Sequence, residues 1–162
     1  MKNGQEVHWW QGRRGEAYVA VQAVLFALIL FGPVSLPGLP PWPAVLPSAA
    51  GGVLLAIGSL LSLCAGLKLG ANLTPLPHPG ENATLVVGGL YRLVRHPLYL
   101  GVILMAWGWS LWVQGWLSLA GTLALMLLFD LKARREERWL MARFPAYAEY
   151  RKRVRRLIPF IY

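Results

Sequence analysis

The chain holds a single cysteine, Cys64, and only seven acidic residues in 162. One cysteine excludes a disulfide framework and a thiolate metal cluster. Set within an apolar run, Cys64 reads as a small packing residue. Charge is missing over long stretches: no Asp, Glu, Lys or Arg occurs from Ala17 through Leu67, and none from His96 through Phe129. Charged residues make up 14% of the chain, against about 25% in soluble domains. Gaps of this length exclude an ordinary soluble basic domain, despite a net charge of +9, and indicate membrane-spanning helices. Also absent is a Gly-x-Gly-x-x-Gly run after a strand pattern, which argues against a Rossmann-type site.

What remains is organised by those gaps into a single membrane domain, residues 1–162. Residues 1–16 mix Trp9 and Trp10 with Arg13, Arg14 and His8, a composition that suits a membrane interface. Ala17 to Leu36 is the first expected span, retained rather than cleaved. At about 1.5 Å per residue, some twenty residues cross a core of about 30 Å. The run Pro37-Gly38-Leu39-Pro40-Pro41-Trp42-Pro43 cannot continue a helix. Ser48 to Leu67 is the second span, and its Gly51, Gly52, Gly58, Ser59, Ser62 and Gly66 form a close-packing face. Residues 68–96 form an irregular polar loop. Pro97 to Phe129 is too long for one span and suits a hairpin, 97–113 and 116–129, turning at Gln114-Gly115. Trp107, Trp109, Trp112 and Trp116 mark the far interface.

From Asp130 to the end, the pattern is amphipathic and basic. Leu140, Phe144, Tyr147, Tyr150 and Val154 lie on one face, and Pro145 divides the helix. Arg138, Arg143, Arg151, Lys152, Arg153, Arg155 and Arg156 lie on the other. Such a segment suits an anionic membrane surface better than nucleic acid. The fold class is therefore an all-α membrane bundle of four transmembrane helices, the last two a hairpin, with an amphipathic C-terminal helix. Every Lys and Arg falls at the N-terminus, in the 68–96 loop or in the tail. The positive-inside rule makes that side cytoplasmic, with both termini on it. The expected location is a bacterial inner membrane.

Gly88 to Gly101 stands at the mouth of the third span. Pro97 is placed to open that helix with His96 at its cap. The N–H groups of Leu98, Tyr99 and Leu100, with Arg92 or Arg95, could then hold a carboxylate or phosphate. Glu136 lies four residues before Leu140 on the apolar face, where it calls for a cationic partner. Glu137, turned about 100° away, faces elsewhere and pairs with Arg134. An anion cradle beside such a carboxylate suits a zwitterionic or sulfonium ligand. The same residues equally suit an Arg–Glu network fastening the tail to the bundle.

Gly89-Leu90-Tyr91, Arg95-His96-Pro97-Leu98-Tyr99-Leu100-Gly101, Glu136-Glu137, and the run Phe144-Pro145-Ala146-Tyr147-Ala148-Glu149-Tyr150-Arg151-Lys152-Arg153-Val154 together resemble the isoprenylcysteine carboxyl methyltransferase family. Phospholipid methyltransferases share the pattern. The resemblance spans residues 68–160 and implies S-adenosylmethionine as cofactor and S-adenosylhomocysteine as product. It places cofactor contacts on Thr84, Leu85, Val86, Tyr91, His96, Pro97, Leu98, Tyr99 and Glu136. It implies catalytic roles for His96, Arg134 and Glu137. A family arginine that handles the substrate carboxylate aligns near Lys132, which with Arg135 is expected to meet a lipophilic or lipid acceptor. No metal or nucleic acid is expected; membrane lipids are the expected surroundings. Two other classes compete: a sterol-reductase-like enzyme using NADPH, and a non-enzymatic membrane adaptor whose arginines dock to lipid.

Overall fold

A computed structural model describes residues 15–40, 42, 48–78, 80, 82–159, 161 and 162. The interfacial reading of His8, Trp9, Trp10, Arg13 and Arg14 lies outside them. Five α-helices follow in order: α1 (Glu16–Phe31), α2 (Ser48–Leu69), α3 (Pro97–Val113), α4 (Trp116–Arg143) and α5 (Tyr147–Arg153). Short 3-10 turns follow α2 at Gly70–Asn72 and precede α3 at Gly89–Arg92. Among the described residues there is no β-strand, only an isolated parallel bridge between Val94 and Arg155.

The first helix stops at Phe31, five residues short of the expected Leu36. Gly32 is extended, with φ −66° and ψ 154°, and Pro33 follows. Proline has no N–H to offer the Ile29 carbonyl one turn back. That carbonyl instead accepts from Trp109 Nε1 at 2.9 Å and Ser118 Oγ at 3.1 Å. A freed backbone acceptor in α1 is thus satisfied by side chains of α3 and α4, as an apolar surrounding requires. Ser110 Oγ extends this cluster, lying 3.0 Å from both Ser118 Oγ and Thr122 Oγ1.

The second and third helices pack through their small residues. A Cβ on Gly58 would sit 2.6 Å from the Gly101 carbonyl oxygen, and one on Gly51 2.5 Å from that of Gly108. Backbones that approach this closely gain van der Waals contact without a hydrophobic driving force. Gly66, expected on the same face, meets nothing nearer than 4.0 Å. The turn falls at Gln114-Gly115 as expected, with Gln114 in the left-handed region at φ 53°.

The larger departure is α4. The fourth span was expected to end at Phe129, but the helix runs unbroken for 28 residues to Arg143. Asp130–Arg143 is rich in Ala, Leu, Lys, Met, Arg and Glu, all good helix formers. The first break is at Phe144-Pro145. At about 1.5 Å per residue the helix is about 42 Å long. Its apolar part, residues 116–129, is followed by a charged half. By length and composition, α4 and α2 with its 3-10 extension can cross a membrane, while α1 and α3 are shorter apolar helices.

The C-terminal part is not one long amphipathic helix. α5 has seven residues, and the chain then folds back beside the segment before α3. Arg95 N–H donates to the Arg155 carbonyl at 2.8 Å and His96 N–H to that of Arg156 at 3.0 Å. This pairing straps the tail across the mouth of the bundle.

Candidate active site at the charged end of the bundle

Two stripes of α4 build the site. Ala133 and Glu137, four apart, are buried, and Glu137 meets residues 95–96 and the tail. Lys132, Glu136 and Leu140, also four apart, run along the neighbouring face. Glu137 is almost fully buried, at 2% exposure. It accepts from Arg95 Nε at 2.9 Å and Nη2 at 2.8 Å, and from Arg156 Nε at 3.1 Å. His96 Nε2 lies 3.3 Å away and Arg151 Nε 3.7 Å. Burial pushes the Glu137 carboxyl up, but the contacts with His96, Arg156 and Arg95 outweigh it and hold it well below the usual carboxylate range.

The expected burial of the two glutamates is therefore reversed. Glu137, placed toward Arg134, is the buried hub. Glu136, placed on the buried face, is partly exposed and accepts from Tyr99 Oη at 2.7 Å. Residues 95 and 156 arrive from the loop and the tail, and sequence spacing along α4 cannot see them. The Arg–Glu network fastening the tail is present at Glu137, while Glu136 stands at its edge, partly exposed. Arg156, Asp130, Arg134 and Tyr162 extend the network outward: Tyr162 Oη donates to Asp130 at 2.9 Å and accepts from Arg156 at 2.7 Å and Arg134 at 2.8 Å.

On the side of Glu136 a cleft opens. It is lined by Asn72 and Thr74 after α2, by residues 83–86, by Tyr91, Arg95 and His96, by Glu136 and Leu140, and by Tyr147 and Tyr150 from α5. It continues past Leu98 and Tyr99 at the start of α3. Thr84, Leu85, Val86, Tyr91, His96, Leu98, Tyr99 and Glu136 are thus brought together. Pro97 is not among these lining residues; it is fully buried and opens α3.

The anion cradle is smaller than expected. Leu100 N–H is already spent on the His96 carbonyl at 3.1 Å. Arg95 is committed to Glu137 and to the carbonyls of Arg151 and Val154, and Arg92 is exposed. His96 makes no side-chain cap bond; it is buried and stacks on Tyr99, which stacks on Phe129, at ring separations of 5.2 and 4.8 Å. Lys132 lies beside this stack, its Nζ 5.4 Å from the centre of the Tyr99 ring.

Lys132 is 2% exposed and donates to Gln22 Oε1 of α1 at 2.8 Å. Gln22 is the one amide in that apolar helix, a signal that sequence reading passed over. Arg134 is mostly exposed and pairs with Asp130 at 2.7 Å, outside the cleft. Arg135 packs over Trp139 and Tyr18. Asn72 was also missed. It clasps Thr84, accepting from its N–H at 2.9 Å and donating to its Oγ1 at 3.2 Å, and so closes the loop over the cleft.

Along the side of the bundle lies a half-open apolar cavity of about 300 Å³ between α1, α2 and α3. Phe26, Leu55, Val102, Met105 and Trp109 are among its walls. Val102 is three residues along α3 from Tyr99, so this cavity and the cleft lie along the same helix.

The fold and site thus define an apolar helical bundle with a polar cleft at its charged end and an apolar pocket along α3. The comparisons narrow the class. The family model described as phospholipid methyltransferase matches residues 46–147, and the chain belongs to that family. Protein-S-isoprenylcysteine O-methyltransferase of Xenopus laevis is 33% identical over 118 residues, 70% of this chain and 41% of that protein. Methanethiol S-methyltransferase 2 of Bradyrhizobium diazoefficiens is 40% identical over 76 residues, 45% of this chain and 28% of that protein. The solved structure of the eukaryotic intramembrane Ras methyltransferase ICMT matches with a TM-score of 0.65 and 26% identity, over 90% of this chain and 53% of that one. This chain therefore spans less than half the length of the Xenopus relative.

Proposed function

We propose that this chain transfers a methyl group from S-adenosylmethionine to a lipophilic acceptor at the membrane face bearing its charged residues. The observation that carries this reading is the cleft itself. His96, Tyr99 and Glu136 meet at the seam between a polar loop and the mouth of an apolar bundle, in a chain of the phospholipid methyltransferase family.

The cleft's chemistry fits the cofactor. The apolar Leu85, Val86 and Leu140 suit an adenine ring, Asn72, Thr74 and Thr84 offer polar groups for a ribose, and Glu136 suits a cationic centre. When bound, S-adenosylmethionine supplies an electrophilic sulfonium methyl, whose bond to sulfur breaks as the acceptor's lone pair bonds to its carbon. The protein's task is alignment and exclusion of water. Tyr99 fixes the Glu136 carboxylate, His96 buttresses Tyr99 by stacking, and the Asn72–Thr84 clasp holds the loop over the site. The strap of the tail and the Glu137 hub keep His96 in place.

The buried Lys132 ammonium, whose hydrogen-bond partner among the described residues is the neutral Gln22 amide and whose nearest carboxylate influence is Glu136, favours an acceptor carrying a negative charge. A carboxylate acceptor of that kind needs no general base, whereas an amine would. The apolar cavity beside Val102 and Trp109 is of a size to take part of an alkyl or prenyl chain. Positive residues at this end would put the site and both termini on the cytoplasmic face of a bacterial inner membrane, with four helices across it.

Calorimetric titration of detergent-purified protein with S-adenosylhomocysteine tests the reading. Saturable binding, weakened in Glu136→Gln, is expected. A folded protein that does not bind it refutes the proposal. Binding of NADPH in its place would move the chain to the sterol-reductase-like class.

A further inference from the structure

Among the tyrosines lining the cleft, one hydroxyl stands apart. Tyr91 Oη donates to the Ala65 carbonyl at 3.5 Å, Tyr150 Oη to that of Tyr91, and Tyr99 Oη to Glu136. Tyr147 is 2% exposed, and its buried hydroxyl has no hydrogen-bond partner. Among the described residues only the Trp42 ring nitrogen shares that condition. Tyr147 opens α5 just after Pro145, its N–H spent on the Phe144 carbonyl at 2.9 Å. Its ring packs edge-on against Tyr150, with centres 5.6 Å apart, and lines the cleft with Glu136, Tyr91 and His96.

An unpaired buried hydroxyl is destabilising, because it has given up water and received nothing. Phenylalanine would fill the same space with no polar atom to satisfy. Burial and the neighbouring Glu137 carboxylate push the phenol well above its ordinary value, so it stays protonated and remains a donor. A neutral donor is therefore kept in a wall of the cleft with no acceptor among the described residues.

We infer that Tyr147 is a ligand-binding residue of the cleft, whose hydroxyl donates to an acceptor atom of the bound S-adenosyl cofactor. The inference rests on the reading of the cleft as the cofactor site. It makes the tail part of the binding site: α5 brings Tyr147, and the strap at 94–96 and 154–156 holds α5 down.

The test is Tyr147→Phe, with Tyr150→Phe as its opposite. Thermal unfolding of the ligand-free, detergent-purified proteins and calorimetry with S-adenosylhomocysteine are read together. Tyr147→Phe is expected to unfold at or above the wild-type temperature and to bind the ligand about three- to tenfold more weakly, as loss of one neutral hydrogen bond predicts. Tyr150→Phe loses a made bond to the Tyr91 carbonyl and is expected to unfold at a lower temperature. Unchanged affinity in Tyr147→Phe, with wild-type binding intact, overturns this inference and leaves the cofactor reading standing. A lowered unfolding temperature with unchanged affinity assigns the hydroxyl a purely structural role and also overturns it. Absence of binding by the folded wild type overturns the cofactor reading and this inference with it.

Discussion

Replacing each glutamate of the adjacent pair by glutamine should separate stability from binding. Glu137 is 2% exposed and its carboxylate faces Arg95, itself buried, and Arg156, with contacts of 2.8–3.1 Å. Taking one partner from a buried ion pair costs about 3–5 kcal/mol, because the remaining charge is left uncompensated. Glutamine keeps one acceptor oxygen and the side-chain shape, so the lower end, about 3 kcal/mol, is expected. For a chain of this size each kcal/mol moves the unfolding midpoint by about 2–4 °C, which gives a loss of about 6–12 °C. Glu136 is 28% exposed and accepts one hydrogen bond, from Tyr99. Glutamine can still accept it, so Glu136→Gln should change stability by about 1 kcal/mol or less, while weakening S-adenosylhomocysteine binding. Intrinsic tryptophan fluorescence during heating in detergent reads the first quantity and calorimetry the second. Equal unfolding midpoints for the two variants would refute the division of labour. So would a Glu137→Gln protein as stable as wild type.

The Glu137 network also carries a pH signature. Its folded-state carboxyl titrates below the unfolded value of about 4.3, so its stabilisation is complete above that value and lost as the pH falls through the folded one. Unfolding midpoints of wild type should drop on acidification below about pH 4, and more steeply than those of Glu137→Gln. Lys132→Met should raise KM for an anionic lipophilic acceptor without changing S-adenosylhomocysteine affinity, with Lys132→Arg closer to wild type; equal KM values would remove Lys132 from acceptor recognition. Gly58→Leu should prevent α2 and α3 from meeting, since its Cβ would stand 2.6 Å from the Gly101 carbonyl, whereas Gly66→Ala should be tolerated; monodisperse protein yield separates them. Gln114→Gly should raise stability by about 1 kcal/mol by relieving the left-handed φ of 53°, and an unchanged midpoint would show that the turn is not strained.

What could be read in the sequence was whatever depends on composition and local punctuation. The uncharged runs located the apolar helices, Pro97 the start of α3, Gln114-Gly115 the hairpin and Pro145 the break before α5. The errors came where a boundary or a partner depends on distant residues. Phe129 ends the apolar pattern but not the helix, because backbone hydrogen bonds continue through Asp130 regardless of polarity. Pro33 shortens α1, and only the packed bundle shows Trp109 and Ser118 supplying the missing bonds. Gln22 was overlooked because one amide in an apolar helix carries little weight until Lys132 is found beside it. Tyr147 stood in a recognised motif, yet no pattern reveals that its hydroxyl lacks a partner.

The adjacent glutamates show why the site needs both the strap and the cleft. Neighbouring residues on a helix point about 100° apart, so an acidic pair at the end of α4 serves two faces at once. Glu137 gathers Arg95 from the loop, Arg156 from the tail and His96 from the cap of α3. Two segments distant in sequence, residues 95–96 and the tail, are thereby tied to one buried charge. Glu136, one residue earlier, accepts from Tyr99 and lies 3.8 Å from His96 Nδ1, with no arginine among these contacts. A carboxylate that must meet a cationic ligand cannot also be neutralised by arginines, and a carboxylate that fastens the tail cannot stay open to a ligand. Dividing the tasks between consecutive residues keeps the fastening charge out of the cleft. It also makes the tail, through Tyr147 and Tyr150, a wall of the site rather than a separate appendage on the membrane surface.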